Sequence, residues 1–129
     1  NIDTRPPLDV YQKALAYRVG DFYRIAPGPG AATLVRQALM HGYCPVFAMP
    51  VDEAYEWWDG PKIYEGRKGP SLGGHMQAIA GFDDGCIIVP GSWGTAFADR
   101  GIIRIGVDFF ESGECTDIIV PTLVPALAA

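Results

Sequence analysis

Glycine and proline punctuate this chain too densely for long regular elements. Sixteen glycines and eleven prolines in 129 residues demand many turns. Glycine admits backbone angles that other residues avoid, and proline cannot join a helix interior or a central strand ladder. A β-rich or α+β domain is therefore expected rather than a helical bundle. The length suits a single domain, residues 1–129, with one core. Hydrophobic residues make up 49% and charged residues 19%, a globular balance rather than a disordered one. The net charge is −5 with no basic run, so nucleic acid is not expected as a partner. No apolar stretch approaches the ~18 residues that span a bilayer, so no membrane partner is expected either. No signal-like segment stands at the N-terminus. The chain begins at Asn1 rather than methionine, which we read as a processed product or a piece of something longer.

The pattern along the chain is α+β and mainly β. Residues 1–10 read as an extended lead-in, because Pro6 and Pro7 exclude a helix and restrict Arg5. Residues 11–17 fit one or two helical turns, and "YRVGDFYRI" carries the aromatic and β-branched residues of a strand. The clearest helix is "AATLVRQALMHG". Leu34, Val35, Ala38 and Leu39 fall on one face by three-and-four spacing, Gly42 suits the position that stops a helix, and His41 lies in the last turn as a surface or capping residue. "YCPVFAMPV" has the length and apolarity of a buried strand. Residues 52–74 form a long polar and aromatic loop with one short helix near Glu53–Trp58. Then come three strand candidates, "HMQAIAGF", "CIIVPGSW" and "GIIRIGV", with a hairpin signal at Asp83–Gly85 between the first two. "DFFESGE" reads as a turn or short helix and "CTDIIVPTLV" as a closing strand. The expected architecture is one helix packed on an antiparallel twisted sheet or half-barrel.

Several residue types invite a chemical role. Cys44, Cys86 and Cys115 are an odd set without metal-ligand spacing, and buried reduced thiols are the simplest reading. That usage fits a cytoplasmic or virion setting rather than a disulfide-rich secreted protein. Asp52, Glu53, Glu56 and Asp59 lack the spacing of a calcium loop and read as a solvated acidic face. No metal and no cofactor is expected. Trp57 and Trp58, with Tyr55 and Tyr64, suit either an aromatic binding platform or packing. His75 opens a strand behind Gly73 and Gly74, which leave it uncrowded. Residues 91–95, "GSWGT", offer a wall for a cleft beside it. An indole there would shield the imidazole from water and fix its plane, as a general base needs.

The stretch "LGGHMQAIAGFDDGCIIVPGSWGTAFADRGIIRI" resembles the histidine–asparagine part of papain-like cysteine peptidases. A histidine opens a strand, a hairpin follows, and a Ser-Trp-Gly-Thr turn comes next. Upstream, "VRQALMHGYCPVFAMPV" resembles the family's helix and strand, and "GPKIYEG" and "FYRI" have counterparts too. The resemblance runs from about Pro6 to Val120. It covers one of the family's two domains, the β-rich right-hand one. It implies a cysteine that attacks a peptide carbonyl and a histidine that holds and returns the proton. His75 matches that histidine. Trp93 matches the tryptophan that covers it.

The departures are equally specific. The family's orienting asparagine is here Gly91, which has no side chain to accept a hydrogen bond from the imidazole. "TAFA", residues 95–98, replaces the family's Thr-Gly-Trp-Gly. Met76 follows the histidine where a small residue is usual, implying a bulkier cleft wall. No cysteine stands at the start of a long helix before a tryptophan. Gln12, Gln37 and Gln77 match no oxyanion glutamine. Two expectations follow from the resemblance. In one, the chain is the histidine-bearing subunit or fragment of a peptidase, with the cysteine on a companion chain or missing domain and a polypeptide as substrate. In the other, it is an inactive domain of that fold, a structural or partner-binding component of a larger assembly such as a virus particle. In both, a companion covers an apolar interdomain face. A third reading, an unrelated β-rich binding module, makes the ordered matches a coincidence. Gly73, Gly74, Trp57 and Trp58 are the candidate binding residues.

Overall fold

The most apolar run of the sequence becomes the inner strand of a sheet. In a computed structural model that describes residues 3–123, β2 (Val46–Val51) lies between two neighbours and alternates half-buried with buried residues. Phe47, Met49 and Val51 therefore point into the core. The sheet has the order β1-β8-β2-β4, with β1 at Val19–Ile25, β4 at Gly73–Ala78 and β8 at Thr116–Leu123. All its pairs are antiparallel. A second four-stranded sheet holds β3 (Ile63–Tyr64), β5 (Gly81–Asp83), β6 (Cys86–Pro90) and β7 (Ile102–Gly106), in the order β3-β7-β6-β5. Neither closes into a barrel. The core between them is a continuous cluster that includes Phe47, Met49, Ile87, Val89, Ile103 and Phe110, every one of them at most 1% exposed.

The architecture is the mainly β, α+β arrangement that the sequence implies, and it refines three details. The expected strand "HMQAIAGF" breaks at Ile79–Ala80: β4 pairs with β2 in the first sheet, and β5 begins the second. Both halves are extended and no turn residue other than Gly81 separates them, so no strong local signal marks the crossing. The hairpin stands where expected, with Asp83 opposite Cys86 across Asp84 and Gly85. One pair is parallel, Ile63 with Arg104 and Tyr64 with Ile105, and it comes from the segment read as loop. The lead-in is shorter than residues 1–10, because α1 (Leu8–Ala14) starts directly after Pro7 and a 3-10 turn, Leu15–Tyr17, continues it. Asn1, Ile2 and residues 124–129 lie outside the described residues.

Helix α2 (Ala31–Met40) forms where the periodicity puts it. Its buried face is Ala31, Ala32 and Val35, with Ala38 and Leu39 packed against the core. Leu34 is on the other side at 48% exposure, a correction to the expected face. The C-terminus is a Schellman arrangement. Gly42 takes φ +80°, its N–H donates to Leu39 O at 2.9 Å, and Tyr43 N–H donates to Ala38 O at 3.0 Å. His41 is the exposed C-cap, as expected. Two short helices complete the set, α3 (Glu53–Glu56) and α4 (Val107–Glu111). Among the described residues no helix is long and apolar enough to cross a membrane.

The three cysteines are free thiols, and Cys86 and Cys115 are buried. Cys44 corrects the expectation of a third buried thiol. It precedes the strand rather than lying in it, it is exposed, and its Sγ donates to Ile79 O at 3.4 Å. Burial pushes the Cys115 thiol up to about 12, with Glu114 adding to the effect, and burial raises Cys86 too. Reactivity needs the thiolate and access. A colorimetric thiol titration of the native chain should therefore count one reactive cysteine, and denaturant should release two more.

Candidate functional site

Strand β4 presents His75 half-buried, opposite Met49 of β2. The loop between β6 and β7 brings the wall. That loop is cross-braced by its own backbone: Gly91 N–H donates to Gly101 O at 2.8 Å, Gly101 N–H to Phe97 O at 2.7 Å, and Ala98 N–H to Trp58 O at 3.0 Å. It holds Trp93 parallel to the imidazole, with centroids 5.1 Å apart and 21° between planes. Trp93 rests edge-on against Phe97 at 4.9 Å and Tyr55 at 5.7 Å. Tyr55, on α3, also meets the imidazole edge-on at 6.3 Å. His75 thus belongs to a cluster of rings rather than standing alone at a strand start.

The electrostatics follow from this packing. Burial lowers the pKa of His75 from its ordinary value, because the cation loses water. At neutral pH the ring is a neutral base. Among the described residues none hydrogen bonds to its nitrogens.

Gly91 lies half-buried with Phe97 over it. A Cβ built there would sit 3.0 Å from Cδ1 and 3.2 Å from Cε1 of Phe97, and 3.5 Å from Gly101 O. A side chain at 91 therefore needs the Phe97 ring to give by a few tenths of an ångström. Gly91→Ala should lower stability by about 1–3 kcal/mol through overpacking. Thermal denaturation checks this, and adding Phe97→Leu should recover part of the loss.

The other expected residues divide. Gly73 and Gly74 are exposed and pair with Val51 and Pro50, with open space where a Cβ would be. Met76 is 54% exposed and, by strand alternation, lies on the opposite face of β4 from His75, so it does not bulk up the wall beside the ring. Trp57 is 76% exposed and stands between two open clefts. One, of about 590 Å³, is lined by Asp52, Glu53, Trp57, Lys68 and Leu72 among others. The other, of about 390 Å³, brings Trp57 and Trp58 together with Trp93 and Phe97. Trp58 is mostly packing: its indole lies edge-on to Tyr64 at 5.3 Å and its Nε1 donates to Lys62 O at 3.3 Å. Tyr55 and Tyr64 are fully buried, so the platform reading fails for both.

Glu53, Glu56 and Asp59 are exposed, as a solvated acidic face requires, but Asp52 departs from it. It is 1% exposed and caps α3. Oδ1 accepts from Tyr55 N–H at 3.0 Å and from the Tyr64 hydroxyl at 3.3 Å. Oδ2 accepts from Lys68 N–H at 2.7 Å and Gly69 N–H at 2.9 Å. Burial pushes its pKa up, but the three amides and the hydroxyl outweigh that and hold it below the ordinary carboxyl value. An aspartate just before a short helix is a capping signal that the sequence does contain; its reach to residues 68 and 69 is not.

No family model matches the chain, and no curated protein matches it significantly. Solved structures do match. Xylellain, a cysteine protease from Xylella fastidiosa, superimposes with a TM-score of 0.71 at 22% identity, covering 94% of this chain and 46% of its own. A Carica candamarcensis cysteine protease gives 0.64 at 22% identity, covering 82% and 50%. Bromelain from Ananas comosus gives 0.62 at 22% identity, covering 82% and 51%. The fold is that of a papain-like domain. This papain-like domain spans about half the length of the proteases it matches.

Proposed function

We propose that the chain is the histidine-bearing, right-hand half of a papain-like cysteine peptidase, and that it works only with a companion chain or domain that supplies the cysteine and the oxyanion glutamine. The observation that carries this reading is the stack of Trp93 on His75 at 5.1 Å. It joins the two motif residues in a partly buried, fixed ring plane. In this scheme the companion's thiol approaches the open side of His75 beside Gly73 and Gly74. The neutral imidazole takes the thiol proton, the thiolate attacks the peptide carbonyl, and the imidazolium returns the proton to the leaving amine. The arriving thiolate also reverses the effect of burial, since an adjacent anion favours the imidazolium. Trp57, on the rim of both clefts, is the residue placed to meet a polypeptide substrate.

The exposed apolar surface supports the need for a companion. Helix α1 buries none of its residues. Leu8 and Tyr11 on it, Leu15 and Tyr17 on the 3-10 turn, and Phe22 and Tyr23 on β1 are 47–78% exposed. Apolar side chains this exposed on three consecutive elements suit a surface that a partner covers.

One observation favours the second reading, an inactive domain within a larger assembly: the slot beside Gly91 is filled by Phe97. The two readings part on the companion. Intact-mass analysis of the native complex, with N-terminal sequencing, should find a chain bearing a glutamine and a cysteine–tryptophan pair at a helix start. A complex whose other members all lack such a segment sinks the peptidase reading and leaves the inactive one.

A further inference from the structure

The ring cluster contains a buried polar pair that the proposed reaction leaves without a role. Tyr55 donates its hydroxyl hydrogen bond to Oε1 of Gln77. Gln77 is 6% exposed, and its Nε2 has no partner among the described residues. A buried amide donor left unsatisfied weakens a fold, and an apolar side chain of the same size would not. Accepting the Tyr55 hydroxyl accounts for Oε1, but that structural account leaves a buried Nε2 donor orphaned.

Its position supplies a better one. Strand β4 alternates sides, so Gln77, two residues beyond His75, shares its face. Tyr55 contacts both: its ring stands edge-on to the imidazole at 6.3 Å and its hydroxyl is tied to the Gln77 amide. The same tyrosine ring stands edge-on to Trp93 at 5.7 Å. The imidazole thus has an indole on its face and a phenol ring beside it. The phenol ring is held at its far end by Gln77 and cannot swing away.

We propose that Tyr55 and Gln77 are positioning residues for His75, holding its ring against Trp93 in place of the orienting amide that Gly91 lacks. The inference rests on the reading of His75 as the peptidase base, but its test does not need activity. The indole ring current displaces the imidazole protons of a stacked histidine from their free values, and NMR of the chain reads this directly.

In the wild type, the His75 ring protons should be strongly displaced. In Gln77→Leu the displacement should collapse toward that of a free histidine, and the melting temperature should fall because the buried Tyr55 hydroxyl loses its acceptor. Tyr55→Phe combined with Gln77→Leu, which leaves neither polar group behind, should show the same collapse with the melting temperature regained. Tyr55→Phe alone, which keeps the ring and loses the tether, should collapse the displacement too. A purely structural pair would leave the His75 displacement intact in the single and the double variants, and that result overturns the proposal. Free-histidine shifts in the wild type overturn it without any variant. Gln77→Met, near in shape and without an amide, carries the same two outcomes if leucine does not fold. Failure of the peptidase reading looks different: His75 stays displaced and responsive to Gln77, yet no thiol-bearing companion exists.

Discussion

Replacing Asp52 with alanine should lower the melting temperature by about 10–20 °C, the largest stability effect expected of any surface-loop position in this chain. The reason is where its partners lie. One carboxylate satisfies the first turn of α3 through Tyr55 N–H, the buried Tyr64 hydroxyl, and the amides of Lys68 and Gly69. Removing it orphans several donors at once inside a site that is 1% exposed. Hydrogen bonds to a charged acceptor are worth about 1.5–3 kcal/mol each, but they share one desolvation cost, so a net loss of about 3–5 kcal/mol is expected. The loop from residue 65 to 72 should open along with it, which limited proteolysis would detect. Asp52→Asn, which keeps an acceptor oxygen, should lose less.

The same carboxylate gives the fold an acid limb. Its pKa in the folded chain lies below the ordinary 3.8. The unfolded chain therefore takes up the proton first as pH falls. The stabilisation is fully present above about pH 4 and is lost as pH falls through the lower folded value. Denaturant melts from neutral to acid pH should show this fall in the wild type and a shallower one in Asp52→Asn.

What the sequence displays about this fold is mostly what neighbours along the chain decide. The apolar face of α2 and its stop at Gly42 follow from three-and-four spacing and one left-handed residue. The hairpin before Cys86 follows from Asp-Asp-Gly, and the inner strand β2 from its unbroken apolar run. What is decided between distant segments does not show. No strong local signal marks Ile79–Ala80 as the place where the chain leaves one sheet for another. Asp52 looks like one more acid in an acidic loop until residues 68 and 69 fold over it. Tyr55 looks like part of a surface platform, yet it is the ring on which Trp93, Phe97, Tyr64 and His75 all converge.

The candidate site divides the same way. His75 and Trp93 are legible because their order and spacing resemble a known motif, and they do stack. Gly91 is legible as an absence, but the phenyl ring of Phe97 lying where a side chain would go is a fact of packing. Gln77 matches no oxyanion glutamine, and its tie to Tyr55 depends on two segments 22 residues apart. A polar residue on the apolar face of a strand, two positions from a candidate base, is the signal that could have found it.

On the proposed peptidase reading, the largest functional effect belongs to His75. General acid–base catalysis by a positioned side chain is worth about 10²–10⁴-fold, and removing a base that also activates the nucleophile costs more than proton transfer alone. His75→Ala in the reconstituted complex should therefore cut peptide hydrolysis at least about a thousandfold. The fold should survive, because the half-buried ring is not part of the hydrophobic core.

The most direct test is covalent labelling of the native complex with a thiol-directed epoxide, resolved by chain. The proposed pair predicts rapid labelling of one cysteine on the companion, lost in His75→Ala, while any slow labelling of the exposed Cys44 is unchanged. Companion labelling at the same rate with and without His75, or none in the wild-type complex, would contradict the assignment of His75 as the base.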